Sequence, residues 1–252
     1  MTTAAHYLDL LQRHSHAIVD WEGVSKQPWH ETLQMMPLVP KTLRSDEEKM
    51  PALLLLGGDA PYLEDVAKDL RIAHENGFKP LVSCLLTVPP EIDPKRLQQN
   101  FTKHLVLQNP RGRAFFRYYD PLVFLHLDRI LRQYQLMRLY GFAINWTVRF
   151  QKDWITLPAQ QVEDFKGYPL SLVMVNTPQQ EGLDRIGTVN LALKLWREKS
   201  RRPFADLDEW RALAAQADAC IAQEQKRSPD AWEEDLARHA RNRLFQLEEQ
   251  QP

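Results

Sequence analysis

The stretch that most constrains this chain spans residues 113–141, RAFFRYYDPLVFLHLDRILRQYQLMRLYG. Its opening residues interleave aromatics with arginines, the composition of a half-buried strand. Asp120-Pro121 then supplies a helix N-cap followed by the residue preorganised for the first helical position. A strand must give way to a helix at that corner. Beyond it, Val123, Leu127, Ile130, Tyr134 and Met137 form an apolar stripe at helical spacing, closed by Gly141. Asp128 offers a second cap, so the segment reads as one helix or as two. On the strand, alternation places Arg117 and Tyr119 on one face and Phe116 and Tyr118 on the other, buried one. Arg117, Tyr119, Asp120 and Pro121 then form a structural motif, with Asp120 as the cap and Arg117 as its charge-assisted partner. The competing reading sets the same residues on a groove that receives a partner.

Upstream, residues 4–13 read as a short helix and 16–21 as a first strand. Residues 29–36 read as a helix closed by Pro37, and the charge run 45–50 as a loop between Pro40 and Pro51. Residues 52–56 are a continuous apolar run ended by Gly57-Gly58, as in a strand buried on both faces. A helix from Asp59-Pro61 carries Leu63, Val66, Ala67 and Leu70 to Asn76-Gly77, and 80–86 is a second apolar strand. Strand, helix and strand in that order predict a right-handed parallel crossover. Asp93-Pro94 caps a helix with Leu97, Phe101 and Leu105. Residues 105–108 and 113–119 pair across the turn 110–112.

Downstream, 144–150 and 154–157 read as a hairpin and 170–175 as one more strand. From residue 180 the period turns helical, along Leu183, Ile186, Val189, Leu193 and Trp196, then Trp210, Leu213, Ala217 and Ile221, then Trp232, Leu236, Ala240 and Leu244. Asp206 with Glu209 predicts a capping box, and Ser228-Pro229 the start of the last helix. The fold class is α/β (α+β): an N-terminal lobe over 14–157 with a mixed β-sheet flanked by helices, a connecting segment 158–179, and a smaller all-α three-helix lobe over 180–248.

Composition narrows function. At 252 residues the chain can bury a sizeable core without staples, and a net charge of -1 gives no general attraction for nucleic acid or an anionic membrane. Cys84 in an apolar strand and Cys220 on a helix read as free thiols, which suits a reducing cytoplasm. No export signal or membrane-length apolar run occurs, so cytoplasmic residence is expected. Gly57-Gly58 lacks the third glycine of a dinucleotide turn and the lysine of a P-loop, and Asp59 sits where phosphate would go. His14 and His16 point the same way on a strand but have no second ligand pair, so surface histidines are expected and no metal site. No nucleophile motif appears. No catalytic residue, metal, cofactor or small-molecule substrate is assigned. The basic residues 197–202 and Arg238, Arg241 and Arg243 read as mixed-charge solvated faces.

The hydrophobic surplus points to binding. The chain has seven tryptophans, and three helices bury only a modest shared core. Trp146, Trp196, Phe204, Trp210 and Trp232 are therefore the candidate partner-binding residues, either facing a cleft or joining the lobes.

FRYYDPLV, the aliphatic segment after it and YGFAINW resemble the FR-(F/Y)-YDP-x-V signature of the domain-of-unknown-function 4123 family. The supporting stretches are LLLLGGDAPYL, LVSCLL, DPKRLQQNFTKHL and LQNPRGRAFFR, in the family's order over residues 15–157. The resemblance implies a chaperone or adaptor of the bacterial type VI secretion system. Such a protein holds a cognate effector, through the effector's N-terminal segment, and passes it to the valine-glycine repeat spike protein without cofactor or catalysis. Two alternatives are an α/β enzyme with a site at the sheet edge near Gly57-Gly58 and Asp120, and a general interaction module outside secretion.

Overall fold

The structure is a computed structural model that describes residues 4–27, 29–57, 62–159 and 173–248. Helix α1 (Ala4–Gln12) leads into strand β1 (His16–Asp20), the short α2 (Trp21–Ser25) and edge strand β2 (Met35–Pro37). A 3-10 helix over Lys41–Lys49 precedes β3 (Pro51–Leu55), α3 (Leu63–Asn76), β4 (Val82–Thr87) and α4 (Pro94–His104). The hairpin β5 (Val106–Asn109) and β6 (Gly112–Phe115) follows, then α5 (Pro121–Phe124), α6 (Leu127–Ile130), α7 (Gln133–Tyr140), β7 (Asn145–Phe150) and β8 (Asp153–Pro158). After β9 (Val173–Met174) come α8 (Thr177–Asp184), α9 (Ile186–Ser200), α10 (Leu207–Arg227) and α11 (Glu233–Glu248).

Six strands form an antiparallel sheet in the order β2-β3-β1-β4-β7-β8. β1 lies between β3 and β4, with Ile18 opposite Leu53 on one side and Cys84 on the other. The expected parallel crossover is therefore corrected. β3 and β4 run the same way but are not neighbours, because Ala17, Ile18 and Val19, wholly buried, occupy the central position that a strand apolar on both faces requires. Ala17, Val19, Ala52, Leu54 and Leu85 pack beneath α1 and α3, against Tyr7, Leu11, Leu63, Val66 and Leu70. Ile18, Leu53, Cys84, Val148 and Trp146 alternate onto the opposite face. There Trp146 meets Phe101 of α4 edge to face at 5.8 Å and Tyr118 at 5.9 Å. Cover on both faces makes these strands continuous apolar runs, although their directions are antiparallel.

β6, β5 and β9 form a second sheet in which β9 runs parallel to β5, so the mixed pairing lies here. The aromatic strand is shorter than its sequence predicts. Phe116 still donates its N–H to the Leu105 carbonyl at 2.9 Å, after which the chain turns and Asp120 donates to the Arg117 carbonyl at 2.9 Å. The turn buries Tyr119 as well as Phe116 and Tyr118 and leaves Arg117 exposed, while Arg117 and Tyr119 stay together on one side, as the alternation predicts.

Other local expectations are corrected. The helix read over 29–36 is a 3-10 turn (His30–Thr32) and β2, whose Pro37 ends an edge strand, where a missing N–H costs no ladder bond. Residues 41–49 form a 3-10 helix, where the charge run 45–50 predicts a loop. Past the corner neither one helix nor two forms, but three. Leu131 is extended (ψ 151°), which resets the helical phase, so α7 buries Gln135 and Leu139 while Tyr134 is exposed. The last helix begins at Glu233 and not at Pro229, because Ser228 is consumed as the C-cap of α10. Asp93 caps α4 as read, accepting the Arg96 N–H at 2.9 Å. Of the strand expected over 170–175, Val173–Met174 is formed, and 170–172 lie outside the described residues.

The chain forms two compact units. Met1–Gln108, Gly112–Pro121 and Gln133–Met174 make the first, which contains the six-stranded sheet. Asn109–Arg111, Leu122–Arg132 and Val175–Pro252 make the second, the helical one. The sequence places one boundary in 158–179, whereas the helical unit also takes in the segment just past Asp120-Pro121. Among the described residues no helix is long and apolar enough to cross a membrane.

Candidate functional site

At one end of the large sheet β1 finishes while β3 and β4 begin. Asp20 pairs with Pro51 and donates its N–H to the Leu81 carbonyl at 2.9 Å. The turn after β6 lies over this end and walls an open recess of about 520 Å³. Phe115, Arg117 and Tyr119 line it from the segment 113–121, with Ser83 from β4 and Met50 from just ahead of β3. Its charged residues are Asp20, Glu22, Lys49, Lys79 and Arg117.

Each group is held by local chemistry. Asp20 caps α2, its carboxylate accepting the Gly23 N–H at 3.4 Å. Glu22 accepts from Lys26 at 2.7 Å, a bond that holds its carboxyl below the usual range. Arg117 donates to Asp120 at 2.9 Å, so the pairing read from the sequence is formed. Burial pushes the Tyr119 phenol up to about 12, which keeps it protonated. The recess therefore offers hydroxyls and charges of both signs beside apolar carbon, a surface suited to holding a polar chain.

The tryptophans lie elsewhere. Trp146 is wholly buried and donates its indole N–H to the Tyr140 carbonyl at 3.3 Å. Trp196, also wholly buried, stacks on Phe204 at 5.3 Å and Phe245 at 6.2 Å, with the Arg202 guanidinium over its ring at 4.7 Å. Trp210 packs against His126 at 4.7 Å. These residues form the cores of their own units. Trp232 is the exception, 80% exposed ahead of α11.

The described parts of the alternative sheet-edge site lie toward different ends of β1. Gly57 lies two residues past Leu55, which pairs with His16 at the far end of β1, whereas Tyr119 and Arg117, the partner of Asp120, line the recess at the Asp20 end. Gly58 and Asp59 lie outside the described residues. His14 and His16 are not surface histidines. His14 bonds the Leu10 carbonyl and Thr147, His16 bonds Ser15, and burial lowers His16 to about 4. Among the described residues no three His, Cys, Asp or Glu side chains are grouped to hold a metal. Burial raises the Cys84 thiol, the opposite of activation.

Two features had no readable signal. Lys49, Lys79 and Asp20 come from separate segments and meet only because three strand ends coincide. In the helical unit, Asp218 bridges Arg129 at 3.0 Å and Arg185 at 2.7 Å, while buried His126 bonds Asn190 at 2.9 Å. Asn190 also donates to the Leu122 carbonyl at 2.8 Å and Gln179 to the Ile130 carbonyl at 3.1 Å. These bonds occupy carbonyls that the broken helices leave open.

No protein-family model, curated protein or solved structure matches the chain.

Proposed function

We propose that this protein is a non-catalytic cytoplasmic adaptor that binds a cognate type VI secretion effector and helps load it onto the valine-glycine repeat spike protein. The observation that carries the reading is the segment 113–121: its FRYYDP motif resembles the family's signature, and three of the segment's residues, Phe115, Arg117 and Tyr119, wall the recess. The Arg117–Asp120 pair and the buried Tyr118 and Tyr119 make that wall stiff, as a surface that grips another chain needs to be. Mixed charge around the recess supports selection among effectors. Trp232 is a second contact available to the spike or the effector. The separation of Gly57 from Asp120 and the raised thiol of Cys84 weigh against the enzyme alternative.

Co-expression with the effector encoded beside its gene is the test. The two are expected to elute as one soluble complex, and the effector is expected to be scarcer or unsecreted when this protein is absent. Separate elution, with effector abundance and secretion unchanged without it, would end the reading.

A further inference from the structure

The small sheet ends on an open strand. β6 pairs with β5 and, among the described residues, with nothing on its other side. Phe116 directs its N–H to Leu105, so antiparallel alternation turns the backbone N–H and C=O groups of Arg113 and Phe115 outward, away from β5. The side chains alternate too. Arg113, Phe115 and Arg117 are exposed, while Ala114 is half-buried and Phe116 buried. The edge thus presents a guanidinium and a phenyl at strand spacing, with the exposed Arg117, paired with Asp120, just past its end, and Phe115 and Arg117 line the recess beside Lys79.

Charge decides what fits. Both carboxylates of the recess are engaged within the chain, Asp20 by the Gly23 N–H and Glu22 by Lys26. A second copy of this chain would bring its own arginines against Arg113 and Arg117, and like charges across a strand pair repel. A basic segment would do the same. A segment with carboxylates four residues apart and apolar side chains between them would instead place an anion near each arginine and carbon near Phe115. A helix, its N–H groups used internally, would leave the outward groups of β6 unmet.

We propose that β6 is a docking edge for an extended segment of the effector, one alternating carboxylate and apolar side chains, which adds a strand to the small sheet and runs into the recess. Main-chain hydrogen bonds would supply affinity and the arginines specificity. The proposal rests on the adaptor reading only for which protein carries the segment.

The test uses the full chain and a labelled synthetic valine-rich heptapeptide with two glutamates four residues apart, compared by fluorescence anisotropy with its lysine counterpart. The acidic peptide is expected to bind about tenfold tighter or better, a contrast that shrinks as salt rises. N-methylation of its alternate amides should abolish binding. Arg113→Glu should reverse the preference with circular dichroism unchanged; if that variant does not fold, Arg113→Gln should erase the preference. Equal affinity for the two peptides, or indifference to N-methylation, overturns the docking edge. The two readings fail separately. An effector that co-elutes equally with wild type and with Arg113→Glu/Phe115→Glu removes the edge and leaves the adaptor, whereas peptide preference without effector co-elution removes the adaptor and leaves the edge.

Discussion

At the scale of the residue, an indole has two uses, and burial separates them. Trp196, stacked with Phe204 and with Phe245, is wholly buried in the helical unit, so Trp196→Ala is expected to cost about 3–5 kcal/mol in urea denaturation. Trp232→Ala should change stability by no more than about 0.5 kcal/mol, and a loss of partner binding there reports a contact, not a collapse. Nothing in the sequence separates the two, because each tryptophan falls on an apolar helical stripe. Trp232 is exposed because α11 starts one residue after it, and that start depends on Ser228 serving α10 instead. Asp120 was legible for the opposite reason: an Asp-Pro step has few uses, and the Arg117 pair lies within the same local turn.

At the scale of the element, strands and caps were legible where local chemistry decides them and obscure where a distant side chain does. Gly77 and Gly141 both adopt left-handed backbone, at φ 70° and 60°. A Cβ on Gly77 meets nothing within 4 Å, so Gly77→Ala should cost about 1 kcal/mol of backbone strain alone. On Gly141 it would fall 2.2 Å from Oδ1 of buried Asn100, and Gly141→Ala should cost clearly more, as comparison of the two melting temperatures will show. The stripe after the Asp-Pro corner reads as one helix or two because its residues keep helical spacing throughout, and the break before Gln133 leaves no local mark. What breaks that helix comes from far along the chain: Asn190 serves the Leu122 carbonyl and His126, and Gln179 serves the Ile130 carbonyl. Asn190→Leu should therefore cost about 1–3 kcal/mol by stranding the buried imidazole of His126. Chemical denaturation of that variant checks it. The recess was invisible for a related reason, since its wall is local but its lysines and Asp20 are joined only by strand register.

At the scale of the whole molecule, buried histidines set the acid limit. Burial lowers His16, His104 and His126 to about 4 each, from an ordinary value near 6.5. In the folded state they stay neutral, while in the unfolded chain they take up protons below about 6.5. Their contribution to stability is present above that pH and is lost as pH falls toward 4. The melting temperature is expected to drop steadily between about pH 6.5 and 4, and His126→Asn should flatten part of that slope; an unchanged slope would remove His126 from the account. The helical unit is also discontinuous in sequence, with Leu122–Arg132 contributed from the middle of the chain. During synthesis those residues leave the ribosome well before Asn190, Trp210 and Asp218, so their groups must wait in water for partners not yet made. A gene cut anywhere in 158–179 would separate them permanently. The carboxy-terminal fragment would then emerge without the turns that occupy Asp218 and Trp210, so the helical unit cannot be cut out as one continuous stretch.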